Sequence, residues 1–254
     1  MHSFSSDGVG IAFIDVPAAK DPSDPVLLIH GFASTHAVNW VNTLWVKTLT
    51  TAGYRVIALD NRGHGQSDKL YDPAAYHSSI MAEDARRLLD HFGIARADVM
   101  GYSMGARIAA HLALQHEDRV RSALLGGLGV KLVDGIGLPV SIAEAMEAPS
   151  LDQVSDPTAR GFRSFAEQTK SDLRALAACI RGSRQVMSRE EVARIQTPTL
   201  VTVGTTDEIA GSPHALAALM PDARALDIPG RDHNLAVGDK VHKQGVLAFL
   251  AERP

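Results

Sequence analysis

Short apolar runs at residues 26–29, 55–59, 98–100, 122–125 and 199–203 alternate along this chain with longer amphipathic stretches, and that rhythm restricts the fold more than any other feature. Brief apolar runs bounded by turn residues suit strands buried on both faces. The stretches between them carry helical spacing. Ile80, Ala85, Leu88, Leu89 and Phe92 mark a helix over 78–92, and the segment 104–115, rich in Ala, Ile and Leu, marks a second. Strand and helix repeated in this way build a mostly parallel sheet covered by helices on both faces. Residues 9–16 read as an early strand or hairpin at the sheet edge, ended by Pro17 and the proline-containing segment 22–25. Residues 223–228 read as a last strand and 237–250 as a closing helix.

The rhythm breaks over 130–185, where Gly135, Gly137, Pro139, Pro149 and Pro157 are followed by helix-like stretches at 160–169 and 172–181. This segment reads as a small helical cap inserted between strands, with residues 1–129 and 186–254 forming the core domain. Insertions of this kind commonly carry binding sites. The remaining length is what one α/β core with its helices absorbs.

Charge and cysteine content narrow the function classes. The 254 residues hold 25 Lys and Arg against 29 Asp and Glu, a formal net charge of -4, with no long basic run. Nothing therefore attracts nucleic acid or anionic lipid, and a small, weakly charged or neutral substrate is expected. Cys179 is the single cysteine, which rules out an internal disulfide framework and a multi-thiolate metal site. The eleven histidines show no metal-binding spacing, so no metal is expected. No stretch reaches the ~20 apolar residues of a membrane helix, and the polar start, Met1 to Gly10, lacks a secretory pattern. The expected location is the cytoplasm.

The chemistry concentrates at Gly101-Tyr102-Ser103-Met104-Gly105, between the apolar run ending at Met100 and the Ala-rich helix. A serine projecting from a sharp strand-to-helix turn needs small neighbours two residues before and after it, and the helix start offers partial positive charge to an oxyanion. Serine needs a base, and the base needs an acid that sets its tautomer. Asp207 follows the run 199–203 and the turn Gly204-Thr205-Thr206; His233 sits in Gly230-Arg231-Asp232-His233-Asn234, between the last strand and the closing helix. Asp134, Asp222 and Asp232 are poorer candidates for the acid, and His214 and His242 for the base. Backbone N–H groups of Met104 and of Phe32, in His30-Gly31-Phe32-Ala33-Ser34, are the expected oxyanion donors. Trp40, Tyr102, Met146, Phe162 and Phe165 are candidate substrate contacts, with core packing the alternative.

Together, His30-Gly31-Phe32, Asp60-Asn61-Arg62-Gly63-His64-Gly65-Gln66-Ser67, the serine turn, Asp207 and His233 resemble the α/β-hydrolase superfamily in its esterase-like branch. The resemblance covers nearly the whole chain. It implies an eight-stranded sheet, a cap, no cofactor and hydrolysis through an acyl-enzyme, with 60–67 a structural turn. Serine at the nucleophile position argues against the superfamily's dehalogenases and epoxide hydrolases, which use Asp there. With Ala106 and Arg107 after Gly105, the chain departs from the doubled-glycine turn common in related lactonases and carbon–carbon bond hydrolases. The expected function is hydrolysis of small to medium carboxylic esters. Lactone or carbon–carbon bond hydrolysis with the same residues, and a slow-turnover ligand receptor on the same fold, are the alternatives. The fold alone leaves substrate and oligomeric state open.

Overall fold

The apolar runs become the strands of one sheet. A computed structural model of the chain describes residues 1–18, 23–135 and 137–252. Strands β1 (His2–Ser6), β2 (Val9–Val16), β3 (Ser23–Ile29), β4 (Tyr54–Leu59), β5 (Ala97–Tyr102), β6 (Val120–Gly126), β7 (Thr199–Gly204) and β8 (Ala223–Ile228) pair in the order β1-β2-β4-β3-β5-β6-β7-β8. β3 to β8 run parallel, and β1 and β2 join antiparallel at one edge. This is the mostly parallel eight-stranded sheet that the resemblance implies. β1 was not expected, because an edge strand exposes alternate side chains and so writes no continuous apolar run into the polar amino terminus.

Alternation along β3 divides the core. Leu27 and Ile29 join one cluster, with Val99, Leu88 and Ile108; Val26 and Leu28 join the other, with Met100, Trp40, Trp45 and Leu250. The helices covering the sheet are α1 (Trp45–Thr51), α2 (Ser78–His91), α3 (Met104–Gln115), α9 (Pro213–Ala217) and α10 (Lys240–Glu252). The last begins later than its apolar pattern suggests. The carbonyl of Val237 instead accepts from Trp45 Nε1 at 2.7 Å and lies 3.2 Å from His242 Nδ1.

Helix α3 lies unusually close to the sheet. A Cβ on Gly105 would stand 2.0 Å from the carbonyl oxygen of Ile29, and one on Gly101 would stand 2.1 Å from the Gly105 oxygen. Glycine at both positions lets helix and strand backbones touch, which no side chain permits.

The chain between β6 and β7 forms α4 (Lys131–Asp134), α5 (Val140–Glu147), α6 (Pro157–Gln168), α7 (Leu173–Gly182) and α8 (Arg189–Ala193). Asp156 and Asp172 cap α6 and α7, accepting from the N–H of Ala159 at 2.6 Å and of Ala175 at 3.0 Å. Buried Arg163 ties α6 to α5 by donating to the carbonyls of Ala145, Met146 and Ala148, while Glu167 neutralises it at 2.7 Å. Helix α7 docks on the turn at 73–76, where Gly182 passes so near the Pro73 carbonyl that a Cβ would approach it to 1.9 Å.

Two expectations follow. Gly105→Ala should lower the free energy of unfolding by about 3 kcal/mol or more, since the added carbon meets immobile backbone; urea denaturation measures this, and wild-type stability would show that α3 can lift off β3. The second concerns acid. Burial pulls the imidazole of His64 down to about 3 and those of His111 and His242 to about 4. These rings fold neutral, whereas the unfolded chain takes up protons from about pH 6.5 downward. Their contribution to stability is thus complete above that pH and is lost as the pH falls toward 4. The urea midpoint should drop between about pH 7 and pH 5, and a flat or rising midpoint would refute this account.

Candidate active site

Three loops converge at the carboxyl edge of the parallel strands, where the order reverses between β3 and β5 and ligand sites in open α/β sheets gather. Ser103 stands between β5 and α3 with φ 55° and ψ -114°, a conformation that costs roughly 1–3 kcal/mol for a non-glycine residue. Packing holds it there. Its N–H donates to the Gly126 carbonyl at 2.7 Å, and the close seating of α3 leaves the backbone no room to relax.

His233, in the loop after β8, places Nε2 at 2.9 Å from the Ser103 Oγ and Nδ1 at 2.7 Å from Asp207 Oδ2. Asp207, after β7, receives the N–H groups of Ile209 and Ala210 on its other oxygen at 2.8 and 3.0 Å. Burial opposes its charge, but the hydrogen bond and positive charge offered by His233, with those two N–H groups, hold the carboxyl below its ordinary range. The carboxylate is therefore ionised and aimed at Nδ1–H, which leaves Nε2 as an acceptor for the Ser103 hydroxyl.

The rival residues are engaged elsewhere. Asp232 Oδ1 accepts from the N–H of Asn234 and Leu235, stapling the turn that carries His233. His214 pairs with Asp227 on the surface, and Asp134 with Arg189. His242 is buried behind the site, where its Nδ1 lies 3.1 Å from the Ala236 carbonyl and its Nε2 3.0 Å from Thr202 Oγ1. Tyr102 adds a brace, its hydroxyl donating to the His233 carbonyl at 2.6 Å.

The loop after β3 flanks the serine: a Cβ on Gly31 would lie 3.4 Å from the Ser103 Cβ. Its shape is fixed from below. His30 donates from Nδ1 to the Gly31 carbonyl at 2.7 Å and accepts the Asn61 N–H on Nε2 at 3.0 Å. Asp60 accepts from the His36 N–H, the His36 ring and the Gln66 N–H at 2.7 to 2.8 Å. Burial works against the Asp60 charge, yet these donors bring its pKa to about 2. The turn at 60–67 is thus the clamp beneath the His30 to Ser34 loop. Phe32 and Met104 both line the cavity at Ser103, and Met104, as the first residue of α3, has an N–H with no acceptor inside its helix.

Two lobes meet at Ser103. One, of about 560 Å³, runs under α4 and α6 and is lined by Met104, Arg107, Leu128, Lys131 and Leu138. The other, of about 550 Å³, is lined by Val38, Asn39, Tyr102, Phe165, His233 and Val237. Phe32, Thr158, Phe162 and Ile209 line both. Phe162, Phe165 and Tyr102 thus face the space at Ser103, but Trp40 and Met146 do not. Trp40 is wholly buried, edge-on to Trp45, and Met146 packs in the core beneath α5, so both are corrections to the sequence reading. Apolar content near a motif does not say whether a ring faces the cavity or the core. Asn39 was missed: it sits in a π-helical turn, Ala37–Val41, and its Oδ1 accepts the Gly31 N–H at 2.9 Å. No local pattern announces that contact.

Comparison with known proteins agrees with this architecture. The family profile described as alpha/beta hydrolase fold matches residues 24–187. The chain is 31% identical to the dihydrolipoyllysine-residue acetyltransferase component of the acetoin cleaving system of Pseudomonas putida, over 89% of this chain and 63% of that protein. It is 28% identical to the non-heme chloroperoxidase CPO-A1 of Kitasatospora aureofaciens, over 96% of this chain and 97% of the relative. A crystal structure of a hydrolase from Pseudomonas aeruginosa PA01 superposes with a TM-score of 0.80 at 25% identity, covering 98% of this chain and 97% of the other. With its sheet order, its strained serine turn and a profile match over most of its length, this chain belongs to the alpha/beta hydrolase fold family.

Proposed function

We propose that this chain is a serine hydrolase that cleaves small to medium carboxylic esters through an acyl-enzyme intermediate, with residues 130–185 as its cap. The observation that carries the reading is the continuous relay from Asp207 through His233 to Ser103, with bonds of 2.7 and 2.9 Å, opening where two cavities meet. In this mechanism Ser103 Oγ attacks the ester carbonyl while His233 Nε2 takes its proton. The N–H groups of Phe32 and Met104 hold the oxyanion of the tetrahedral intermediate. His233 returns the proton to the departing alkoxide, and the alcohol leaves. Water, deprotonated by the same nitrogen, then attacks the acyl-enzyme and releases the acid.

The paired lobes favour an open ester over a lactone. Acyl and alcohol arms diverge from an ester carbonyl and would fill one lobe each, whereas a lactone ring leaves from and returns to the same side. Among the described residues no helix is long and apolar enough to cross a membrane, and the buried thiol of Cys179, raised to about 12 by desolvation, suits a reducing cytoplasm.

A fluorophosphonate probe should label the protein, and digestion should map the adduct to Ser103. With p-nitrophenyl esters, Ser103→Ala should lower kcat by roughly 10⁶-fold and Asp207→Asn by roughly 10⁴-fold while circular dichroism stays unchanged. Adducts on another residue, or a Ser103→Ala variant as active as wild type, would end the assignment. A parallel panel of lactones should turn over more slowly than open esters; lactones cleaved faster would reverse the choice of substrate.

A further inference from the structure

Three arginines are buried in the described structure, Arg62, Arg107 and Arg163, and they differ in one respect. Arg62 is held by Asp84 at 2.7 Å and Arg163 by Glu167 at 2.7 Å. Arg107, 5% exposed, has no carboxylate partner among the described residues. Its Nη1 donates to the carbonyls of Leu132 and Gln185 at 3.3 and 2.9 Å, and its Nη2 donates to that of Lys131 at 3.1 Å. These bonds orient the guanidinium without neutralising it, and its Nε–H has no acceptor among the described residues. A buried cation lacking a counter-ion is costly unless something else supplies the negative charge.

Arg107, in the first turn of α3, lines the first lobe together with Ser103, the residue that precedes the helix. One cavity of about 560 Å³ therefore holds both the serine and Arg107. Lys131, exposed at the rim of the same lobe, forms no ion pair with a described residue. The acids on this lobe are Asp134, neutralised by Arg189 at 2.8 Å, and the exposed Glu208.

The second lobe contains His233, which must protonate the leaving alkoxide, so the alcohol arm belongs there and the acyl arm in the lobe of Arg107. We propose that Arg107 and Lys131 form an anion subsite, and that the ester cleaved at Ser103 carries a carboxylate at the far end of its acyl arm: a half-ester of a dicarboxylic acid. This rests on the ester-hydrolase reading above. Desolvation, which pulls the Arg107 guanidinium down to about 10, gives an incoming carboxylate a dry partner.

The test compares monomethyl succinate, glutarate, adipate and suberate with methyl butyrate, valerate, hexanoate and octanoate in a pH-stat. At the best chain length kcat/KM for the half-ester should exceed that for its neutral counterpart by about ten- to a hundredfold. The readout in variants is this ratio, because Arg107→Met also frees the carbonyls at both ends of the cap and slows every substrate. Arg107→Met should bring the ratio near one, and Lys131→Gln, on an exposed side chain, should reduce it several-fold. A ratio lowered by either substitution supports the subsite. A wild-type ratio of one or less at every length, or a ratio unmoved by both substitutions, overturns it.

Failure of the underlying reaction is separable. If no ester turns over and the fluorophosphonate is silent, calorimetric titration of Ser103→Ala with monomethyl adipate judges the subsite alone. Binding weakened by adding Lys131→Gln supports it, and absent binding, or affinity equal to that for methyl hexanoate, overturns it.

Discussion

The contact between the Gly105 position and the carbonyl of Ile29 governs the rest of the molecule. Because α3 touches β3 with no side chain between them, the turn joining β5 to α3 must be sharp, and Ser103 is held at positive φ at the sheet's carboxyl edge. The same closeness brings the start of α3, with its unsatisfied N–H groups, alongside the loop after β3. The serine and the backbone N–H groups that the proposed reaction needs are therefore brought together by one packing decision.

Around that turn, side chains hold backbone rather than one another. Tyr102 grips the His233 carbonyl, Trp45 that of Val237, Asp232 the N–H groups after His233, and Asp60 the N–H groups of His36 and Gln66. Each bond constrains a loop where it would otherwise sway, and where both partners are buried, as for Tyr102 with the His233 carbonyl and Asp60 with the His36 N–H, an unmade bond is expensive. His30 serves the same end as a neutral ring, with one nitrogen donating to a carbonyl and the other accepting an N–H, and burial keeps His242 neutral between the Ala236 carbonyl and the Thr202 hydroxyl. The loops that carry His233 and Phe32 are thus tied to buried imidazoles.

The helices between β6 and β7 complete the enclosure. Thr169, at the end of α6, donates to the Ala33 carbonyl at 3.1 Å, so this segment contacts the loop beside the serine. Arg107 joins both ends of this segment to α3 through carbonyls of Lys131, Leu132 and Gln185. Cavity shape and loop geometry are consequently parts of one packed unit, and the proposed substrate preference arises where that unit leaves a charge unanswered.

The sequence by itself determined what depends on local covalent order: strands from apolar runs, the serine turn from its two glycines, and the succession of Ser103, Asp207 and His233 at the ends of strands. These are legible because each is set by residues within a few positions of one another. The tertiary structure alone decided what depends on distant partners. It paired His233 with a serine 130 positions away and a carboxylate 26 away, sent Trp40 and Met146 into the core, placed Asn39 against Gly31, and left Arg107 without an acid among the described residues. An apolar ring or a buried charge has no spacing rule that names its neighbour. Only the crossing of backbones in space says which of two faces it meets.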